Sequence, residues 1–317
     1  MIGRIRSLVA RLRGRGPRAR PDPPVRHMWS IGIYAGPSPL DLTDVADVEN
    51  PVLTRDAISD VPALFIADPF MTRAAGRWHM FFEVLNGTTW RGQIGHATSE
   101  DGVRWGYDGI VLDEPFHLSY PYVFEWMGQH YMIPETGQAG GVRLYCARQF
   151  PRDWSFVTTL IRGDALVDAS ICRLDDRWWL FLQDSPLPRH DTLRLYSAAS
   201  LTGPWKEHPS SPIVRGDARA ARPAGRVLVD DGRVLRFGQD CREVYGAAVR
   251  AYEISVLTAD AYAERQVGRD PLLGGSGRGW NEHGMHHVDA CRLDDGSWLA
   301  CVDGWFDTEA RRRSSQS

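Results

Sequence analysis

One phrase, two short apolar runs joined by a tight turn, returns five times along this 317-residue chain. Its copies lie around Asp68 (ADPFMTRAAGRWHMFFE), Tyr120 (YPYVFEWMGQHYMIPE), Asp168 (DASICRLDDRWWLFLQD), Arg222 (RPAGRVLVDDGRVLRFGQD) and His287 (HVDACRLDDGSWLACVD). The first and third superpose without a gap, Asp68 on Asp168 and Trp78 on Trp178, and the third and fifth share CRLDD. Within each copy apolar and polar residues alternate, β-branched and aromatic side chains dominate, and Gly, Pro or paired Asp punctuate the runs, which argues against helices. Hairpins recurring at a period of roughly 50 residues are the signature of a radial β-propeller. The expected fold is all-β, a five-bladed β-propeller.

Further strands fill out each unit. Gln93–Thr98, Val142–Ala147 and Leu193–Ala198 occupy equivalent third positions, each followed by a turn and a tryptophan, Trp105, Trp154 or Trp205. The fifth repeat has only two strands before a charged tail, so another segment must complete it. The spare extended run Trp29–Tyr34 is the expected closing strand. The domain plan is therefore a basic segment over residues 1–27, one propeller over 28–306 and a charged disordered tail over 307–317.

Charge is unevenly placed. Residues 1–26 hold eight Arg against Asp22, +7 by count, so the remainder of a chain with net charge −3 carries −10. An acidic body excludes a nucleic-acid channel. Ile2, Ile5, Leu8, Val9 and Leu12 fall at helical spacing among the arginines. That pattern fits peripheral contact of residues 1–20 with an anionic membrane; a disordered Arg-rich extension followed by a Gly/Pro linker fits it too. The five cysteines form no CxxC pair, and the longest apolar run near the start is Leu8-Val9-Ala10, too short for a secretory signal. A cytoplasmic protein is the expectation.

Propeller geometry says where chemistry would sit. The first strand of each blade lines the central channel, and the second returns to the same mouth. Strand-one positions Asp68, Tyr120, Asp168, Arg222 and His286–His287 would then face strand-two positions Glu83, Glu135, Asp184, Gln239–Asp240 and Asp303. Carboxylates converging on an aromatic cup suit glycosyl chemistry, which needs an acid for the leaving oxygen and a carboxylate to activate water or attack the anomeric carbon. Crowding separates their pKa values and so their roles. The Asp-Asp pairs at 175–176, 230–231 and 294–295 read as turn formers, and Trp78, Trp178, Trp179 and Trp298 as packing between blades. An Asp at position 68 or 168 could alternatively cap its strand. His283, His286 and His287 match no metal-ligand spacing, so no metal and no cofactor are expected.

ADPF at Asp68, SEDGVRW ending at Trp105 and DASI at Asp168 resemble the five-bladed glycosidases of the arabinanase, xylosidase and invertase clan. That resemblance implies Asp68 as general base or nucleophile and Asp168 as the carboxylate that tunes pKa and holds the sugar. The clan's acid, a Glu in a Glu-Gly-Pro blade start, falls at Ala221-Arg222-Pro223, where no Glu stands; Glu135 is the favoured replacement and Glu83 a second choice. NPVLTRDAISD, EPFHLSYPYVFE, RPAGRV with RFGQDC and YG, and GMHH resemble the propeller domain that begins plant glucosamine inositolphosphorylceramide transferases, over about residues 28–305. This likeness implies a carbohydrate association and a partner glycosyltransferase, since no nucleotide-sugar half is visible in this chain. The leading expectation is an enzyme acting on a sugar or glycolipid, with Glu83, His117, Tyr120, Arg222, Gln239, Asp240, His286 and His287 holding substrate. Arg222 further suggests an anionic substrate group. The alternatives are a non-catalytic glycan-binding module and a pure interaction scaffold.

Overall fold

The computed structural model describes residues 25–184 and 189–314. The basic segment expected to be helical lies almost wholly outside them. Within them, five antiparallel sheets are arranged as the blades of a propeller. Blade one is Ala63–Ala74, Arg77–Asn86, Arg91–Ser99 and Gly106–Leu112, and blade two is Ser119–Trp126, Gln129–Glu135, Gly141–Gln149 and Asp153–Arg162. Blade three runs from Leu166–Leu174 through Arg177–Asp184 and Thr192–Ala198 to Lys206–Glu207, with Val214–Arg215 beside the third strand. In blade four the inner strand is split into Arg222–Pro223 and Leu228–Asp230, both paired with Arg233–Asp240. Gly225 sits in that gap because its backbone runs against Val288, where a Cβ would lie 1.8 Å from the carbonyl oxygen.

The last blade is built from both ends of the chain. His27–Ser38 pairs antiparallel with Trp298–Asp307, in a register running from His27 opposite Asp307 to Gly36 opposite Trp298. Val288–Arg292 forms its inner strand and Asp41–Asp44 its outer one. The expected closing strand is therefore present, and it extends past Tyr34. Pairing the two terminal segments in one blade closes the ring, and the edges that remain are the short ones of the individual blades. The tail expected to be disordered begins instead as a short helix, Thr308–Ser314, with the Thr308 hydroxyl donating to the Val25 carbonyl at 2.9 Å.

Packing follows the alternation in the sequence. Apolar faces of neighbouring blades meet in clusters such as Phe70, Tyr122, Ile133, Leu144, Ile171 and Leu180 between blades one, two and three. The recurring tryptophans staple their turns: the indole N–H groups of Trp105, Trp154 and Trp205 donate to the carbonyls of Gly102, Pro151 and Leu201. Asp175, Asp176 and Asp231 occupy left-handed turn positions, as their pairing suggested.

Three inner strands carry the same backbone irregularity. Asp68, Tyr120 and Asp168 have φ of 54°, 47° and 53°, and each falls at a register shift against its second strand. Such a bulge turns one residue out of the ladder and aims its groups elsewhere. Here the freed amides meet neighbouring carboxylates: Asp68 N–H donates to Asp303 Oδ2 at 3.0 Å, and Tyr120 N–H donates to Asp68 Oδ2 at 3.3 Å.

Candidate active site

A cavity of about 670 Å³ opens at the mouth of the channel, lined among others by Asp68, Glu83, His117, Glu135, Arg222 and Tyr245. Register explains why the second strands supply so many acids. Glu83 stands opposite Ala67, Glu135 opposite Ser119, Gln183 opposite Val167 and Gln239 opposite Arg222. With Asp303 they form a buried ring of Glu, Glu, Gln, Gln and Asp.

Asp303, His286 and Asp68 form one charged array. His286 Nδ1 lies 2.8 Å from Asp303, and its Nε2 faces Asp68 Oδ1 at 3.7 Å. The imidazole stacks on Trp29 with centroids 3.9 Å apart, which fixes its plane. Burial pulls the His286 pKa down, but Asp303 and Asp68 outweigh it, so the ring's pKa is raised. Burial likewise pushes against ionisation of Asp303, yet His286 holds its pKa low. Asp68 ends at about 7, because burial and the neighbouring carboxylates of Asp168 and Asp303 exceed the help from His286. One ligand atom from each of these three residues lies within 4.8 Å of the others. The imidazole nitrogens already face the two carboxylates, which makes the group a charge-paired array more than an open coordination shell.

Asp168 is neutralised differently. Arg222 Nε donates to its Oδ2 at 2.5 Å, and Gln239 Nε2 donates to the same oxygen at 3.1 Å. Its Oδ1 is buried without a hydrogen-bond partner among the described residues. Tyr245 covers the guanidinium, whose carbon is 4.9 Å from the ring centroid.

On the opposite wall neither Glu83 nor Glu135 pairs with an arginine or lysine among the described residues. Gly92 N–H donates to His117 Nδ1 at 2.9 Å, so a neutral His117 carries its proton on Nε2, which faces Glu83 Oε1 at 3.4 Å. Burial lowers the His117 pKa and keeps the ring neutral. Glu83 is pushed well above the carboxylate range by burial, with Asp68 and Glu135 adding repulsion. Glu135 is raised to about 7, chiefly by burial, although Gly137 N–H donates to its Oε1 at 2.6 Å.

Three expected substrate contacts move elsewhere. Tyr120 is fully buried below the cavity, where its hydroxyl bridges Ser170 and the Gly225 carbonyl at 2.8 and 3.0 Å; the bulge that frees its amide turns its ring into the core. His287 is fully buried, edge-on to Phe70 and Tyr120, with neither ring nitrogen hydrogen-bonded among the described residues and its pKa lowered to about 3 by burial. Asp240 points out of the ring to Arg250 because its neighbour Gln239 takes the inward register position. The strand-two position in blade three shows the same one-residue step, with Gln183 buried and Asp184 paired to Arg194. Asp68, Glu83, His117, Glu135 and Arg222 do line the cavity; Asp168, Gln239 and His286 support it from beneath. Sequence reasoning missed Phe65 and Tyr245 as lining residues; the only signal for Tyr245 was the Tyr-Gly pair after Gln239-Asp240-Cys241.

Fold and cavity together define a five-bladed propeller with an acid-lined central pocket. Residues 23–305 match the family model "Glucosamine inositolphosphorylceramide transferase 1, N-terminal", and the chain belongs to that family. It is 38% identical over 296 residues to glucosamine inositolphosphorylceramide transferase 1 of Oryza sativa subsp. japonica, covering 87% of this chain and 40% of that protein. The Arabidopsis thaliana protein of the same name is 35% identical over 296 residues, with 87% and 39% covered. The chain thus spans about two fifths of the length of these relatives. Among solved structures, the catalytic domain of Coprinopsis cinerea GH62 α-L-arabinofuranosidase superposes with a TM-score of 0.56 at 13% identity, covering 90% of this chain and 98% of that one. At that identity the likeness concerns the fold alone.

Proposed function

We propose that the cavity binds a sugar or glycolipid headgroup and carries out acid–base chemistry at a glycosidic bond. The observation that carries this reading is the contrast between its carboxyl groups. Asp168 is ion-paired with Arg222 at 2.5 Å, whereas Glu135 and Asp68 are raised to about 7 within the same cavity. Groups poised near neutrality exchange protons most effectively at neutral pH. Glu135 in its acid form donates a proton to the departing glycosidic oxygen. Asp68 as carboxylate takes the proton of the attacking water, or of an acceptor hydroxyl, as its oxygen bonds to the anomeric carbon. His286, clamped by Asp303, favours the ionised form of Asp68; Asp168 and Gln239 orient the sugar side of the pocket. Attack by water gives hydrolysis, attack by an acceptor hydroxyl gives transfer. The name shared by the plant relatives supports a sugar-modified sphingolipid as the relevant class.

A second reading is a non-catalytic glycan-binding module that presents an acceptor to a glycosyltransferase. It draws on Ala221, which stands where the resembling glycosidases carry their acid. Turnover of aryl glycosides and extracted glycosphingolipids separates the two. Released or transferred sugar from the wild type, lost in Asp68→Asn and Glu135→Gln, supports the enzyme. Binding without product from any of the three overturns it in favour of the module.

A further inference from the structure

Tyr245 lies on the loop between the strands Arg233–Asp240 and Ala248–Leu257 and lines the cavity. Its ring covers the Arg222 guanidinium, meets His286 edge-on with centroids 5.3 Å apart, and lies 5.7 Å from His190. The next residue, Gly246, has φ of +70°, and a Cβ there would sit 2.6 Å from the Trp29 ring. The Gly246 carbonyl accepts from Trp305 Nε1 at 2.9 Å, and Ala247 N–H returns to the Asp240 carbonyl at 3.1 Å. Two tryptophans of the closing blade therefore set the position of the tyrosine.

The phenol group, by contrast, has no hydrogen-bond partner among the described residues. Burial raises its pKa well above the ordinary tyrosine value, and Asp68 and Asp168 both repel its ionised form. It remains a protonated donor near both aspartates. Tyr245 is half-buried at the cavity wall, so its hydroxyl faces the space a ligand would fill, where a sugar hydroxyl can take the place of water. Arg222 beneath is already engaged in part: its Nε donates to Asp168, its Nη1 lies 3.2 Å from His190 Nδ1, and the Tyr245 ring covers one face. A guanidinium paired and covered in this way does not offer a phosphate or carboxylate the bidentate fork that such groups select.

Resting on the glycan reading above, we propose that Tyr245 determines the specificity of the pocket: its hydroxyl donates to a sugar hydroxyl beside Asp68 and Asp168, and its ring denies Arg222 to anionic substituents, so the end of the pocket it covers takes an uncharged sugar. The inference reverses what Arg222 alone suggested.

Calorimetry and saturation-transfer NMR with methyl glycosides of neutral pentoses and hexoses, glucose 6-phosphate and glucuronate test it on the full chain. Wild type is expected to bind at least one neutral glycoside and to bind the two anionic sugars at least tenfold more weakly. Tyr245→Phe, which keeps the ring over Arg222, should lose about tenfold in affinity for that glycoside and still discriminate against the anions. Tyr245→Ala should lose the neutral ligand and gain binding of glucose 6-phosphate or glucuronate. Equal affinity of Tyr245→Phe and wild type for the neutral glycoside overturns the role of the hydroxyl while leaving the glycan reading intact. Preference of the wild type for an anionic sugar overturns the role of the ring. Failure of the wild type to bind any saccharide overturns the glycan reading as well.

Discussion

Removing the carboxylate of Asp168 should be among the most destabilising single changes in this protein. Asp168 is 1% exposed and the Arg222 side chain 12%, so Asp168→Ala leaves a largely buried guanidinium without its carboxylate, beside His190 and the Tyr245 ring. Breaking one side of a buried ion pair costs about 3–5 kcal/mol. Position 168 also has φ of 53°, which Asp tolerates better than Ala, adding roughly 1 kcal/mol. The expected loss is about 4–6 kcal/mol in urea denaturation followed by tryptophan fluorescence, at an unchanged slope. Asp168→Asn retains an acceptor for Arg222 and a side chain that accepts the left-handed backbone, and should lose no more than about half of that. The double variant Asp168→Ala/Arg222→Met removes both charges and should recover most of the stability. A loss under about 1 kcal/mol for Asp168→Ala, or a double variant as unstable as the two single changes summed, would refute the assignment of this pair as mutually dependent.

Two further outcomes follow from the same geometry. Glu135 binds a proton up to about 7 in the folded state, against 4.5 when free, so its contribution to stability is full below pH 4.5 and is lost as pH rises through 7. Glu135→Gln should therefore gain about 3 kcal/mol relative to wild type between pH 4 and pH 8, and a pH-independent difference would contradict the raised pKa. Gly246→Ala meets both a positive φ and the Trp29 ring, and should lower stability by about 2 kcal/mol and weaken saccharide binding by displacing Tyr245. An unaltered melting temperature would show that the closing blade does not fix this loop.

The fold was legible because a propeller repeats its evidence in every blade. Period, alternation and turn residues agreed over five copies, and the unpaired Trp29–Tyr34 run could only belong to the incomplete blade. The candidate site was legible in outline, since equivalent ends of equivalent strands must converge on the channel. Gln183 was legible, because the gapless superposition of the first and third copies puts Glu83 on Gln183 and not on Asp184. What sequence did not reveal was register within the bulges. One extra residue moves a side chain to the other face, and Tyr120 at such a bulge lies in the core. Pairing was equally hidden: nothing in RPAG announces that Arg222 is spent on Asp168, 54 residues earlier. Tyr245 was missed because it belongs to a loop outside the repeating phrase, and its position is set by Trp29 and Trp305 from the two ends of the chain.

Carboxyl carbon-13 NMR of the wild type, with signals assigned through Asp68→Asn and Glu135→Gln, tests most directly the claim that this cavity is an acid–base site. The account predicts that the Asp68 and Glu135 carboxyls titrate near pH 7, while the Asp303 carboxyl stays ionised below its ordinary range. Titration of both Asp68 and Glu135 below pH 5 would contradict it, leaving a cavity of ordinary carboxylates suited to binding and not to proton transfer at neutral pH.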